Sequence, residues 1–126
     1  MTDRAGPLIL IVDDNEQNSK LARDVLRAAG FRTIEAVTGA DAVARATDDR
    51  PDVILMDIRL PDMDGAVVAR QLKIDPRTAG IPVVALTALA PQDAGEWLID
   101  SGFDGYLGKP IQVREFPDEV RRFSAG

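Results

Sequence analysis

A chain of 126 residues with 45% hydrophobic and 29% charged side chains has the length and make-up of one globular domain. Lacking both cysteine and histidine, it has no disulfide frame, no thiolate, no imidazole base and no phosphohistidine of its own. A net charge of −6 argues against nucleic acid or an anionic membrane as direct partner, and MTDRAGP and LILIV are too short in apolar length for a signal peptide or a span, so a cytoplasmic location is expected.

Residues 1–7 read as an N-terminal tail and 8–126 as one domain. LILIVD, Leu8 to Asp13, reads as a buried strand. Asn15 can cap the helix after it, with a core stripe expected at Leu21, Val25, Leu26 and Ala29 and an end at Gly30. FRTIEA (residues 31–36) alternates, as an edge strand with one wet face does. Thr38-Gly39 starts a short helix holding Ala42, Val43 and Ala46, which Pro51 closes. DVILMD (52–57) is a third strand, and a helix from about Ala66 to Ile74 carries Val67, Val68 and Leu72. PVVALT (82–87) is a fourth strand, Pro91 to about Asp100 a fourth helix, and FDGYLGK (103–109) a short fifth strand. A last helix runs from about Val113 to Phe123, with Phe116, Val120 and Phe123 apolar. Five β-α repeats with short connections predict an α/β fold, a parallel sheet doubly wound with helices on both faces.

The stretch VILMDIRLPDMDG, Val53 to Gly65, sets a question: a strand that reads as buried on both faces ends in a charge, Asp57. In an open doubly wound sheet, ligands bind outside the carboxyl ends of the strands. Those ends carry Asp13-Asp14, Asp57, Thr87 and Lys109-Pro110. If the first and third strands are neighbours, three carboxylates meet one ammonium. At roughly 4 Å and an effective dielectric near 20, each like-charged pair repels by about 4 kcal/mol. Such a site wants a cation, and few oxygen-only ligands with room for water suit Mg²⁺ better than zinc or calcium. A divalent ion beside a carboxylate organises phosphoryl transfer, and Asp57 can be the nucleophile. Lys109 and the Thr87 hydroxyl can then each serve one of the new phosphoryl oxygens.

Taken singly, these residues have ordinary explanations. Asp13-Asp14 could cap a helix, Thr87 could be a plain strand residue, and Lys109 a solvated lysine. Asp62 and Asp64 read as turn residues without chemistry, with Gly65 relieving the backbone. The constellation at four strand ends in order is what carries weight.

With LIVDDNEQN, DVILMDIRLPDMDG, IPVVALTA and GFDGYLGKPI, the chain resembles a response-regulator receiver domain of the CheY type, from about Leu8 to Phe123. The resemblance implies the strand order 2-1-3-4-5. It implies Asp57 as phosphoacceptor, Asp14 as direct Mg²⁺ ligand, Asp13 holding a metal-bound water, and the backbone carbonyl of Arg59 completing the set. Thr87 becomes the switch hydroxyl, Lys109 the phosphoryl-contacting cation, Tyr106 the aromatic that changes rotamer, and Pro110 the family's residue after the lysine, typically joined by a cis bond.

The implied donor is a phosphohistidine on a sensor histidine kinase or a histidine phosphotransfer protein. The implied output is a downstream protein, bound at the surface of the fourth helix, fifth strand and last helix. The implied chemistry is confined to self-phosphorylation and self-dephosphorylation, so the chain is expected to be a switch and not an enzyme. With no effector segment read after Phe123, a stand-alone regulator is expected, and the motifs are similar to those of the DivK and hybrid-kinase receiver group.

Arg59 and Leu89 lie two residues beyond Asp57 and Thr87, where the resemblance implies side chains that border the hydrolytic water's path and tune the phosphate's lifetime. In the fourth helix, Gly95 costs about 1 kcal/mol relative to Ala, so that helix is expected to be marginal. There Leu98 is expected to reach the core and Trp97 to lie near the surface. Pro117 is expected to make an irregular start for a helix beginning near Val113. A haloacid-dehalogenase-like phosphatase would share the Asp nucleophile and Mg²⁺ but wants an acid where Arg59 stands. A dinucleotide enzyme would need a Gly-rich turn, which VDDNEQN lacks. A receiver that binds partners without phosphate is disfavoured by the intact set of chemical positions.

Overall fold

The computed structural model describes residues 6–88 and 98–125. Five strands, β1 (Leu8–Val12), β2 (Arg32–Ala36), β3 (Val53–Asp57), β4 (Val83–Thr87) and β5 (Gly105–Gly108), form one sheet in the order β2-β1-β3-β4-β5. Every pairing is parallel. The helices are α1 (Glu16–Ala28), α2 (Gly39–Asp49), α3 (Gly65–Ile74) and a C-terminal helix, Phe116–Ala125. Residues 98–100 are also helical. The doubly wound α/β fold expected from the β-α alternation is therefore the fold observed.

Alternation along the central strands builds two cores. Leu10, Val12, Ile54, Met56, Val83 and Ala85 face α2 and α3, where Ala42, Ala46, Val68 and Leu72 meet them. Their chain neighbours Ile9, Ile11, Val53, Leu55, Val84 and Leu86 face α1 and the C-terminal helix, against Leu26, Phe116 and Val120. Successive side chains point to opposite faces, so a strand covered on both sides must be apolar throughout. Each fully buried Leu, Ile or Val contributes about 1.5–3 kcal/mol.

The capping residues behave as their chemistry dictates. Asn15 accepts from the Asn18 N–H at 3.1 Å, and Thr38 Oγ1 accepts from the Asp41 N–H at 3.1 Å. Two helical expectations need correction. On α1 Leu26 is buried and Val25 and Ala29 pack against the core as expected, but Leu21 is 40% exposed and Ser19 and Ala22 take buried positions. The small Ser19 and Ala22 let the helix lie close to the sheet, and the Ser19 hydroxyl donates to the Asp13 carbonyl at 3.4 Å, so a polar residue can take a core position. The last helix begins at Phe116, not near Val113, with a turn over residues 113–115 before it. Pro117 thus falls in the first turn, where proline is tolerated; the turn before it, closed by the Phe116 N–H on the Gln112 carbonyl at 2.8 Å, is not continued by a bond from residue 117, which is the irregularity expected at this start. Leu98 is fully buried, as expected, among the α3-side residues. Pro91, Gly95 and Trp97 lie outside the described residues, and with them most of the expected fourth helix.

Candidate functional site

Strand register sets the site. Val12 pairs with Met56, so Asp13 and Asp57 each follow the last paired residue of adjacent strands. Asp57 pairs with Leu86 and Thr87 with Gly108, which brings Thr87 and Lys109 to the same edge. The Lys109 N–H donates to the Thr87 carbonyl at 2.9 Å, and the Lys109–Pro110 peptide bond is cis.

Lys109 Nζ lies 3.2 Å from Asp57 Oδ2 and 3.3 Å from Asp13 Oδ2. Asp13 and Thr87 are each only 3% exposed, whereas Asp14 is open to solvent. One carboxylate oxygen from each of Asp13, Asp14 and Asp57 lies within 4.8 Å of the others. The remaining oxygens hold local backbone: Asp13 Oδ1 accepts from the Asn15 N–H at 2.9 Å, and Asp57 Oδ1 from the Arg59 N–H at 3.1 Å. Asp13 Oδ2 is buried and accepts no hydrogen bond from the described residues, with Lys109 as its ion-pair partner. Asp14, Asp57, Arg59, Thr87 and Lys109 line a cleft of about 370 Å³ beside these groups.

Those observations decide whether a hard cation fits. A buried acceptor oxygen that has an ion pair with Lys109 but no hydrogen bond from the described residues is costly, and three carboxylates outnumber that one ammonium. The donor set is all oxygen and one side of it is open. Residues and charge together fit Mg²⁺.

The loop after β3 is tightly tied. Gly65 N–H donates to the Ile58 carbonyl at 2.9 Å, and the backbones of Arg59 and Asp64 form an isolated antiparallel β-bridge. A Cβ on Gly65 would sit 2.8 Å from the Asp57 carbonyl oxygen and from Ile58 Cα, which is why glycine stands there. Asp64 is more than a turn residue, since its carboxylate caps α3 by accepting from the Ala66 N–H at 3.0 Å. Asp62 also departs from its expected idleness. It reaches across to α2 and accepts from the Gly39 N–H at 2.7 Å and the Ala40 N–H at 3.0 Å. These two bonds hold its carboxyl below the ordinary aspartate value. Tyr106, the expected rotamer switch, is half-buried on β5 beside the α3-side core. Leu89 lies outside the described residues.

A parallel five-stranded sheet in this order, carrying an acidic pocket with a lysine and a buried threonine from the adjoining strands, has the architecture of a receiver domain. Residues 9–121 match the family model described as the response regulator receiver domain, and the chain belongs to that family. Its curated relatives include DivK response regulators. The polar-differentiation response regulator DivK of Brucella anthropi is 41% identical over 115 residues, which cover 91% of this chain and 94% of that protein. The counterpart from Brucella ovis is 40% identical over the same span.

Among solved structures, the receiver domain of a sensor histidine kinase from Pseudomonas aeruginosa superposes with a TM-score of 0.88 at 35% identity, covering 97% of this chain and all of that one (100%). That structure has a magnesium ion coordinated in its active-site cleft. The chemotaxis response regulator CheY4 of Vibrio cholerae superposes at 0.86 with 26% identity, covering 94% of this chain and 98% of that one. Receiver domains are signalling switches of two-component systems that work with histidine kinases or phosphotransfer proteins and downstream targets, and they bind Mg²⁺ at an acidic pocket. With the family established, the phosphatase and dinucleotide-enzyme alternatives fall away. Among the described residues no helix is long and apolar enough to cross a membrane.

Proposed function

We propose that this chain is a DivK-like switch in which Asp57 accepts a phosphoryl group from a phosphohistidine on a sensor kinase or phosphotransfer protein. The observation that carries this reading is Lys109 Nζ, held 3.2 Å from Asp57 and 3.3 Å from the buried Asp13 at the mouth of an acidic cleft. An Asp57 carboxylate oxygen attacks phosphorus in line, the donor's N–P bond breaks, and the imidazole leaves with a proton from solvent. Asp13, Asp14, Asp57 and the Arg59 carbonyl would hold Mg²⁺, with Asp13 acting through a bound water. When bound, that ion neutralises charge on the transferred group.

Lys109 gives its ammonium to one phosphoryl oxygen, and in doing so exchanges an ion pair with Asp57 for one with the phosphate. The Thr87 hydroxyl serves a second oxygen. Its movement, with that of Tyr106, carries the change to the surface of β5, the C-terminal helix and the fourth helix expected from the sequence, where a protein target binds. Arg59 and Leu89 crowd the approach of the water that later removes the group. The chain acts only on its own phosphate, from the cytoplasm, through protein partners.

Incubation with Mg²⁺ and acetyl phosphate, followed by intact mass, tests this. A single phosphoryl adduct is expected on the wild type and none on Asp57→Asn. An adduct that survives the substitution sinks the assignment. In the same experiment, timed after desalting, replacing Arg59 and Leu89 with alanine should shorten the adduct's half-life severalfold; an unchanged half-life removes their role.

A further inference from the structure

Asp62 is solvent-exposed, yet both its oxygens are committed to a helix that begins 23 residues earlier in the chain. The first N–H groups of a helix have no internal partners, and local capping from Thr38 satisfies only that of Asp41. Gly39 and Ala40 are served by Asp62 alone among the bonds observed at this helix start. The packing beneath is equally close. A Cβ on Gly39 would lie 2.6 Å from Met63 Cγ and 2.7 Å from Val68 Cγ2, so the residue after Asp62 is pressed against the same helix start.

The loop from Ile58 to Asp64 is therefore fastened on two sides. Asp57 Oδ1 and the Arg59–Asp64 bridge hold it at the cleft, and Asp62 with Met63 holds it at α2. Arg59 sits between these anchors and lines the cleft. Its backbone can keep one position only if the loop cannot slide toward solvent, and α2 is the wall against which the loop is held.

We propose that Asp62 is a positioning residue for the Asp57 site: by gripping the N-terminus of α2 it fixes the loop whose Arg59 carbonyl completes the cation site. The inference rests on the proposed magnesium-dependent function. Asp62 touches neither phosphate nor metal. It acts through Arg59, and it ties the occupancy of the cleft to the start of α2. Linkage then runs both ways, so filling the cleft tightens the grip of Asp62 on Gly39 and Ala40.

Thr38 supplies the control. Its hydroxyl caps the same helix but makes no observed bond to the loop, so Thr38→Ala weakens α2 without releasing residues 58–64. Mg²⁺ affinity of the full chain is measured by calorimetric titration, alongside thermal melts in EDTA. Asp62→Ala is expected to lose affinity on the order of tenfold, the scale seen when a group supporting a metal ligand is removed. Thr38→Ala is expected to bind as the wild type does, despite a comparable fall in melting temperature. Asp62→Asn, which keeps one acceptor oxygen, should recover part of the loss. Equal affinities for Asp62→Ala and Thr38→Ala would overturn the positioning role while leaving the proposed function intact. A wild type that binds no Mg²⁺ would overturn both.

Discussion

At the amino ends of the strands each carboxylate has a donor of its own, whereas at the carboxyl ends acids crowd around a single lysine. Asp52 accepts from the Leu8 N–H at 2.7 Å. Asp104 accepts from the Val83 N–H at 2.7 Å and pairs with Lys73 at 2.6 Å, while Lys73 also donates to the Ile81 carbonyl at 2.9 Å. At the opposite edge Lys109 is shared between Asp13 and Asp57, and one buried oxygen of Asp13 accepts no hydrogen bond from the described residues. One end of the sheet is built for stability. The other keeps, among the described residues, an electrostatic imbalance that a bound cation would relieve.

That contrast can be broken first at Asp13. At an effective dielectric near 20, its attraction to Lys109 at 3.3 Å amounts to about 5 kcal/mol. Repulsion from Asp14 and Asp57, with oxygens no farther than 4.8 Å, comes to at least about 3.5 kcal/mol each at the same dielectric. Repulsion and burial together exceed the one attraction. Asp13→Asn keeps the oxygen that caps Asn15 and is expected to melt no lower than the wild type in EDTA. With Mg²⁺ at one hundred times its dissociation constant, the wild type should gain about 2.7 kcal/mol, a gain the variant lacks. Asp104→Ala should do the reverse, losing about 1–2 kcal/mol of stability by stranding the Val83 N–H and removing the ion pair of Lys73, with Mg²⁺ affinity unchanged. Urea melts with and without Mg²⁺ read both. If Asp13→Asn proves as destabilising as Asp104→Ala in EDTA, the two ends do not differ in the way described.

The carboxyl-end cluster was legible in the sequence because parallel strands finish at one edge. Once LILIVD, DVILMD, PVVALT and FDGYLGK are read as strands, Asp13, Asp57, Thr87 and Lys109 lie on one edge; that they are neighbours follows from the strand order, which the resemblance implied and the pairing shows. On α1 Val25, Leu26 and Ala29 were legible as core-facing, but Leu21 was misplaced. A hydrophobicity pattern favours Leu21 over Ser19, but the closeness of helix to sheet is set by Ser19 and Ala22, and by a hydroxyl bond to Asp13 that no spacing announces. The C-terminal helix start depended on where the chain leaves the turn at residues 113–115, and the apolar period is indifferent to that. Asp62 was hidden for a third reason. Its partners are 23 and 22 residues away, so LPDMDG looks like any turn until α2 is placed beside it.

The smallest effect expected concerns the same residue and separates its charge from its shape. Hydrogen bonds from Gly39 and Ala40 favour the ionised carboxyl, so its folded value lies below the ordinary 3.8. A group with a depressed folded value adds stability that is complete above the unfolded value and disappears as pH falls through the folded one. The melting-temperature gap between the wild type and Asp62→Asn should therefore stay constant from pH 8 to about 5 and close below about pH 4. Asp104, for which Lys73 is a fixed cation, offers no substitute for that signal, because the Asp62→Asn chain retains it. A gap that persists undiminished at pH 3 would mean that Asp62 holds α2 by packing of the loop alone, with the carboxylate's charge contributing nothing.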